Sequence, residues 1–289
     1  MAKKKSSAPR ASSGKKASGP PAQRWRRCRR WALFAALALV AAYAGLLTIG
    51  AVSANRLIFP VPAASYDDTA ANLIKLPLKN GGEVPALWLE NATAKRTVLY
   101  FHGNGMDLGH CRATANAMRA HGYAVLVVEY PGYGTATGTP PSEAGCYDAA
   151  NSAYDYLRTT RGISAERIVL YGFSLGTGVA TDLATRQPVG SVILEAPFLS
   201  TFRVLTRVKI LPMDRFDNIA KIRDVKQPLL VIHGTADKTY SHGVRLFAAA
   251  TGAPRKQFYE VKNGGHGDAA TRDKARYWKT LDTFLAASE

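Results

Sequence analysis

"RIVLYGFSLGTGVATDLATR", residues 167–186, joins two patterns at a single serine. Ile168, Val169, Leu170 and Tyr171 form a short continuous apolar run, as in a strand buried on both faces. Val179 to Thr185 reads as a helix. Between them stands Gly172-Phe173-Ser174-Leu175-Gly176. A tight turn from strand to helix points one side chain into the crevice above a sheet. It strains the backbone at Ser174 and leaves no room for side chains two residues away on either side, hence the two glycines. The helix that starts there adds a positive dipole end and free N–H groups. This setting, rather than the bare G-x-S-x-G pattern, marks Ser174 as a candidate nucleophile.

The same alternation continues outward. "RTVLYFHGNG", "YAVLVVEYPGYG", "GSVILEAP", "QPLLVIHG" and "KQFYEVKN" read as further strands. Helices are expected from Leu108 to Ala120, from Ser142 to about Arg158 and from about Thr271 to Ala287. "NLIKLPLKNGGEVPALWLE" carries a hairpin signal at Asn80-Gly81-Gly82 and predicts one antiparallel edge. Apolar strands alternating with helices imply an α/β fold, a mostly parallel sheet covered on both faces. Phe198 to Lys226 is too long for an ordinary connection and is expected to form a small cap insertion.

A serine hydroxyl needs a base, and the base an orienting acid. His110, His121 and His242 fall in or beside helices, where surface or capping roles are expected. His102 and His233 each end a strand before a glycine, where shaping a loop is the expected role. His266, in "NGGHGD" after the last strand, has the reach and the chain position of the base. Asp237, just after the penultimate strand, is favoured as the acid, with Glu195 in "LEAP" as its rival. Asp268 is expected to brace the loop of His266. Backbone N–H groups of Leu175 and of Asn104, in "FHGNG", are the expected oxyanion donors.

The 289 residues carry a formal charge of +17, unevenly placed. Met1 to Arg30 holds eleven Lys or Arg and no acid, which leaves only +6 for the rest. This stretch (residues 1–30) is expected to be a disordered basic tail. Trp31 to Ser53 is free of charge and, as a helix, would span roughly 35 Å against a hydrocarbon core of about 30 Å. A transmembrane helix at 31–53 is therefore expected, binding the chain to a lipid bilayer. The run is longer than the roughly 7–15 residues of a signal-peptide core, so an uncleaved signal-anchor is favoured over a cleaved signal. Arginines before Trp31 place the N-terminus in the cytoplasm and the α/β domain, residues 56–289, outside it, in a bacterium the periplasm. The tail's partner is open between anionic lipid and nucleic acid; the apolar run beside it argues for lipid and against nucleic acid. Cys28, Cys111 and Cys146 form neither a disulfide framework nor a metal-ligand spacing.

"FHGNG", "EYPGYGTATGTPPSE", "GFSLGTGVATDLATR", "LEAPF", "DRFDNIAKI", "PLLVIHGTAD" and "GGHGD", in this order, resemble the α/β-hydrolase superfamily from about Thr97 to Ser288. The chain is especially similar to membrane-anchored α/β-hydrolase-domain proteins grouped near serine aminopeptidases and depalmitoylase-like thioesterases. The resemblance implies Ser174, Asp237 and His266 as nucleophile, acid and base. It also implies a serine hydrolase acting on a small-molecule or acylated ester, thioester or amide, with no cofactor and no metal. One departure stands out: "DKTYSHG" after the acid is shorter than in the family, which would move Asp237 or reshape the wall beside it. The alternative is a catalytically silent, membrane-anchored scaffold on the same fold. Oligomeric state is not legible.

Overall fold

The computed structural model describes residues 22–79, 81–136, 139–206 and 214–287. The chain divides into two compact units, Met1–Val52 and Ser53–Glu289. In the first, the described residues belong to the long helix α1, Ala22–Ile58, which ends in the second unit. Its stretch Trp25–Gly50 is long and apolar enough to cross a membrane. The helix is longer at both ends than the expected 31–53, because Gln23 to Arg30 are themselves tolerated in a helix once the apolar run has nucleated it. Residues 1–21 of the expected tail lie outside the described residues.

The second unit is built on eight strands: β1 Leu73–Pro77, β2 Glu83–Leu89, β3 Thr97–Phe101, β4 Ala124–Val128, β5 Ile168–Phe173, β6 Ser191–Glu195, β7 Leu229–Gly234 and β8 Lys256–Val261. They form one sheet in the order β1-β2-β4-β3-β5-β6-β7-β8. Strand β2 is antiparallel to both β1 and β4, and the other pairs are parallel. The β1-β2 hairpin thus forms the expected antiparallel edge, with β2 as the reversed strand. The order turns back between β3 and β5, so the loops after these two strands flank a crevice at the carboxyl ends.

Strand residues alternate between two buried layers. Leu99 and Phe101 of β3, with Leu126 and Val128 of β4, face a cluster that also takes in α3 (Glu143–Asp155) and α4 (Gly176–Arg186). Val98, Tyr100, Val125 and Val127 face the other side, against α2 (Leu108–Ala120) and the final helix. This helix comes in two pieces rather than one. Residues Ala269–Arg272 and Lys274–Ala286 are separated at Asp273, whose non-helical backbone and side-chain bond to the Arg276 N–H start the second piece afresh.

The expected insertion at 198–226 contains short helices Thr201–Thr206 and Asn218–Lys221; residues 207–213 lie outside the described residues. Its described ends are part of the core, since Phe198, Leu199, Phe202, Phe216, Ile222 and Val225 are all buried in the first cluster. A further helix, Tyr240–Ala249, follows β7. Here His242 is buried, its Nδ1 accepting from the Leu199 N–H at 3.5 Å, rather than lying at the surface or capping a helix.

Candidate active site

Ser174 follows β5 directly, and its backbone has a φ of 51°, in the left-handed region that costs an L-residue about 1 kcal/mol or more. The turn is held from outside: the Ser174 N–H donates to Glu195 O at 2.9 Å, and the Thr177 N–H donates to Ser174 O at 2.9 Å. The glycine requirement is physical. A Cβ on Gly176 would lie 2.0 Å from Phe101 O, and one on Gly172 would lie 2.4 Å from Gly176 O. Strand β3 and the start of α4 pass that closely, and the pinch lifts the serine into the crevice.

Two loops complete the cluster. The loop after β8 brings His266 Nε2 to 2.8 Å from Ser174 Oγ. The loop after β7 brings Asp237 Oδ2 to 2.7 Å from His266 Nδ1. The short segment after Asp237 therefore does not draw the carboxylate away. It folds back on itself instead, with the Thr239 N–H and hydroxyl donating to Asp237 Oδ1 at 2.8 and 3.0 Å. Burial would push the Asp237 carboxyl up, but hydrogen bonds from His233, His266 and the Thr239 N–H outweigh it and hold the group well below its ordinary range. The His266 ring is shifted the other way: its bond to Asp237 raises it above the ordinary imidazole value, against the opposing effect of burial.

The remaining candidates separate cleanly. Glu195 lies beneath the turn, buried, accepting from the Tyr171 hydroxyl, which in turn meets the Tyr277 hydroxyl at 2.7 Å. Burial pushes its carboxyl up, so it suits a neutral, structural group better than an ionised partner for a histidine. Asp268 braces its loop, accepting from the Gly265 N–H at 2.8 Å and from Arg272. His110 and Asp107 pair at the start of α2, and His121 stacks on Trp278. His233 was expected only to shape a loop, yet its Nε2 lies 3.1 Å from Asp237 Oδ2, so two histidines share one carboxylate oxygen. The i, i+4 spacing within "HGTAD" is the one signal of that contact, and outside a helix it carries no weight.

Asn104 and Leu175 line the same cavity as Ser174 and His266. Among the described residues the backbone N–H of neither has an acceptor. The cavity has a volume of about 290 Å³ and is walled by Leu57, Ile58, Ala196, Phe198 and Val204. Leu57 and Ile58 carry no sequence signal as site residues: the charge-free run ends at Ser53, and the helix continues past it to Ile58. A groove of about 370 Å³ between Lys75, Lys79 and Asp148 holds no histidine or cysteine. Among the described residues, Ser174, His266, the two N–H groups without an acceptor and the apolar walls converge on the smaller of these two cavities.

The family model of serine aminopeptidase, S33, matches residues 92–221. Over 200 residues the chain is 36% identical to mouse alpha/beta hydrolase domain-containing protein 17C, covering 67% of this chain and 61% of that one. It is 37% identical over 228 residues to the 17B protein of Xenopus tropicalis, covering 77% of each. The chain thus spans about six tenths of the length of the mouse relative. Among solved structures it is similar to the Pyrococcus furiosus esterase Pf2001 (TM-score 0.68, 14% identity, 78% of this chain and 98% of that one). It is also similar to an alpha-beta hydrolase from Vibrio vulnificus (TM-score 0.59, 22% identity, 74% and 80%). With relatives this similar over this much of its length, the chain belongs to the α/β-hydrolase-domain family.

Proposed function

We propose that the chain is a membrane-tethered serine hydrolase that cleaves an acyl ester, thioester or amide through an acyl-enzyme. The contact that carries this reading is the 2.8 Å approach of His266 Nε2 to Ser174 Oγ, with Asp237 behind the ring. His266 takes the hydroxyl proton as Oγ attacks the acyl carbon. The carbonyl oxygen becomes an oxyanion held by the N–H groups of Asn104 and Leu175, each such donor supplying roughly 3 kcal/mol in the transition state. His266 then gives its proton to the leaving alcohol, thiol or amine. Water, deprotonated by the same ring, releases the acid and restores Ser174. Asp237 stays ionised throughout and stabilises the imidazolium.

The apolar walls of the cavity favour a hydrocarbon acyl chain, and the span Trp25–Gly50 favours a tether to a bilayer where acylated substrates are concentrated. The arginines preceding Trp31 favour a cytoplasmic N-terminus and, for a single uncleaved span, an extracytoplasmic hydrolase unit. The basic tail is assigned to anionic lipid.

Labelling with a fluorophosphonate probe, wild type beside Ser174→Ala, tests the chemistry: the wild type is expected to label and the variant not. No labelling in either favours the silent scaffold, and equal labelling moves the nucleophile away from Ser174. A reporter fused after Glu289 that works only outside the cytoplasm tests the orientation, and its inactivity overturns it.

A further inference from the structure

The geometry points to His102 as a positioning residue for the oxyanion site: its ring holds the peptide whose N–H belongs to Asn104, a residue that lines the cavity. The inference rests on the hydrolase reading and adds a role for a side chain that touches neither Ser174 nor its base.

His102 follows β3 with no exposed surface, and neither has its partner Glu129. Its two ring nitrogens both face acceptors. Nε2 lies 2.8 Å from Glu129 Oε1, and Nδ1 lies 2.8 Å from Gly103 O. A carbonyl oxygen has no proton to give, so the hydrogen between Nδ1 and Gly103 O belongs to the ring. Whichever atom of the His102–Glu129 pair holds the proton between them, Nδ1 must carry an N–H. Glu129 is itself held in place: Oε2 accepts from the Leu108 N–H at 3.1 Å and the Tyr66 hydroxyl at 3.0 Å, and Oε1 from the Tyr130 N–H at 3.2 Å.

Gly103 O and the Asn104 N–H belong to one peptide unit, and in a trans peptide they point in opposite directions. Drawing the oxygen down onto His102 therefore aims the N–H up at the place where the oxyanion forms. The bond also polarises the amide, which strengthens the N–H as a donor. The neighbouring carbonyls are pinned as well, that of His102 by the Tyr130 hydroxyl at 2.9 Å and that of Asn104 by the Tyr133 hydroxyl at 2.7 Å. Of these contacts, the Nδ1 bond alone acts on the peptide that presents the Asn104 donor from a side chain. The Met106 N–H also reaches Gly103 O, at 3.2 Å.

Two substitutions separate this role from simple filling of the core. The amide nitrogen of asparagine sits where Nδ1 is, and that of glutamine where Nε2 is. With a short-chain nitrophenyl ester, His102→Asn is expected to keep kcat within about threefold. His102→Gln is expected to lose about tenfold or more at unchanged KM, with an equal weakening of a trifluoromethyl ketone that forms a tetrahedral adduct. Equal losses in both variants, or none in either, overturn the proposal. Should the glutamine variant not fold, the full-length wild type decides the matter by nitrogen-15 NMR of its histidines. The ring in contact with Tyr130 and Tyr133 must show a protonated Nδ1, and a bare Nδ1 there overturns the proposal. A wild type that hydrolyses no ester and takes no fluorophosphonate counts against the triad, and the NMR result still decides the His102 bond.

Discussion

Ser174 Oγ and His266 Nε2, 92 residues apart in the chain, stand 2.8 Å from each other. The serine rises from a backbone held at positive φ and the imidazole descends from a glycine-rich loop, so the pair is made by two separate segments. Ser174→Ala should lower turnover of an ester reporter by about 10⁴-fold or more while leaving binding nearly intact. Ser174→Gly should be equally inactive and about 1 kcal/mol more stable than Ser174→Ala, because glycine occupies the positive-φ turn without strain. Thermal melts of the two variants side by side check this; an alanine variant as stable as the glycine one would mean the turn holds no strain.

The coupling of His266 to Asp237 fixes the pH behaviour. In the proposed reaction the ring acts as a base only when neutral, and the hydrogen bond to Asp237 holds it protonated to higher pH than an ordinary imidazole. Hydrolysis should therefore rise with pH through a value above about 6.5. In Asp237→Asn that limb should move to lower pH while the plateau falls by about 10⁴-fold. A limb that stays in place assigns the titration to some other group.

Stability follows from the same two shifts. The lowered carboxyl of Asp237 contributes above its unfolded value of about 4, and this is lost as pH falls through the folded value. The raised His266 contributes fully below about 6.5, and this is lost as pH rises through its folded value. Both contributions coexist between these limits. Asp237→Asn should lower the melting temperature most at about pH 5 to 6 and less at pH 9. A penalty independent of pH would contradict this.

Ser174 is legible because its cause is local: a strand, a helix and two glycines within five residues specify a turn that leaves one side chain free. His266 and Asp237 are legible through chain order, since each follows a strand whose apolar run is unmistakable, and the structure brings both to the serine. The wall made by Leu57 and Ile58 is not, because the charge-free run stops at Ser53 and nothing local shows that the helix continues past Arg56 to meet the cavity. Nor is the pairing of β2 with β4 rather than β3, since it joins residues 42 apart in the chain, such as Ala86 with Val128. His233 touches Asp237 only because a turn after β7 carries the carboxylate back over its own strand. That is a tertiary fact without a periodic trace.

The pinch at the turn should be the least tolerant point of the fold. A Cβ on Gly176 meets the Phe101 carbonyl at 2.0 Å, and the obstacle is backbone that cannot rotate away. Gly176→Ala should cost about 3 kcal/mol, at the upper end for overpacking, and should separate β3 from α4 enough to misplace both proposed oxyanion donors. Gly105→Ala is the control, because no atom lies within 4 Å of a Cβ there. Chemical denaturation of the three proteins tests the contrast; a Gly176→Ala protein as stable as the control would show that the strand can yield.

The cavity wall makes a quantitative demand on the substrate. Each methylene of an acyl chain moved from water against Phe198, Val204, Leu57 and Ile58 is worth about 0.8 kcal/mol, or about a fourfold gain in kcat/KM. Along a series of nitrophenyl esters from acetate upward, rates should climb by that factor per methylene until the roughly 290 Å³ is filled, and then level off. Enlarging the wall with Phe198→Ala should move the plateau to longer chains, and inserting bulk with Val204→Phe should move it to shorter ones. Ester and thioester series should bend at the same length, because the acyl chain and not the leaving group lies against these side chains. A flat series in the wild type would mean that the hydrocarbon does not bind here, and the acyl specificity would then have to come from another part of the molecule.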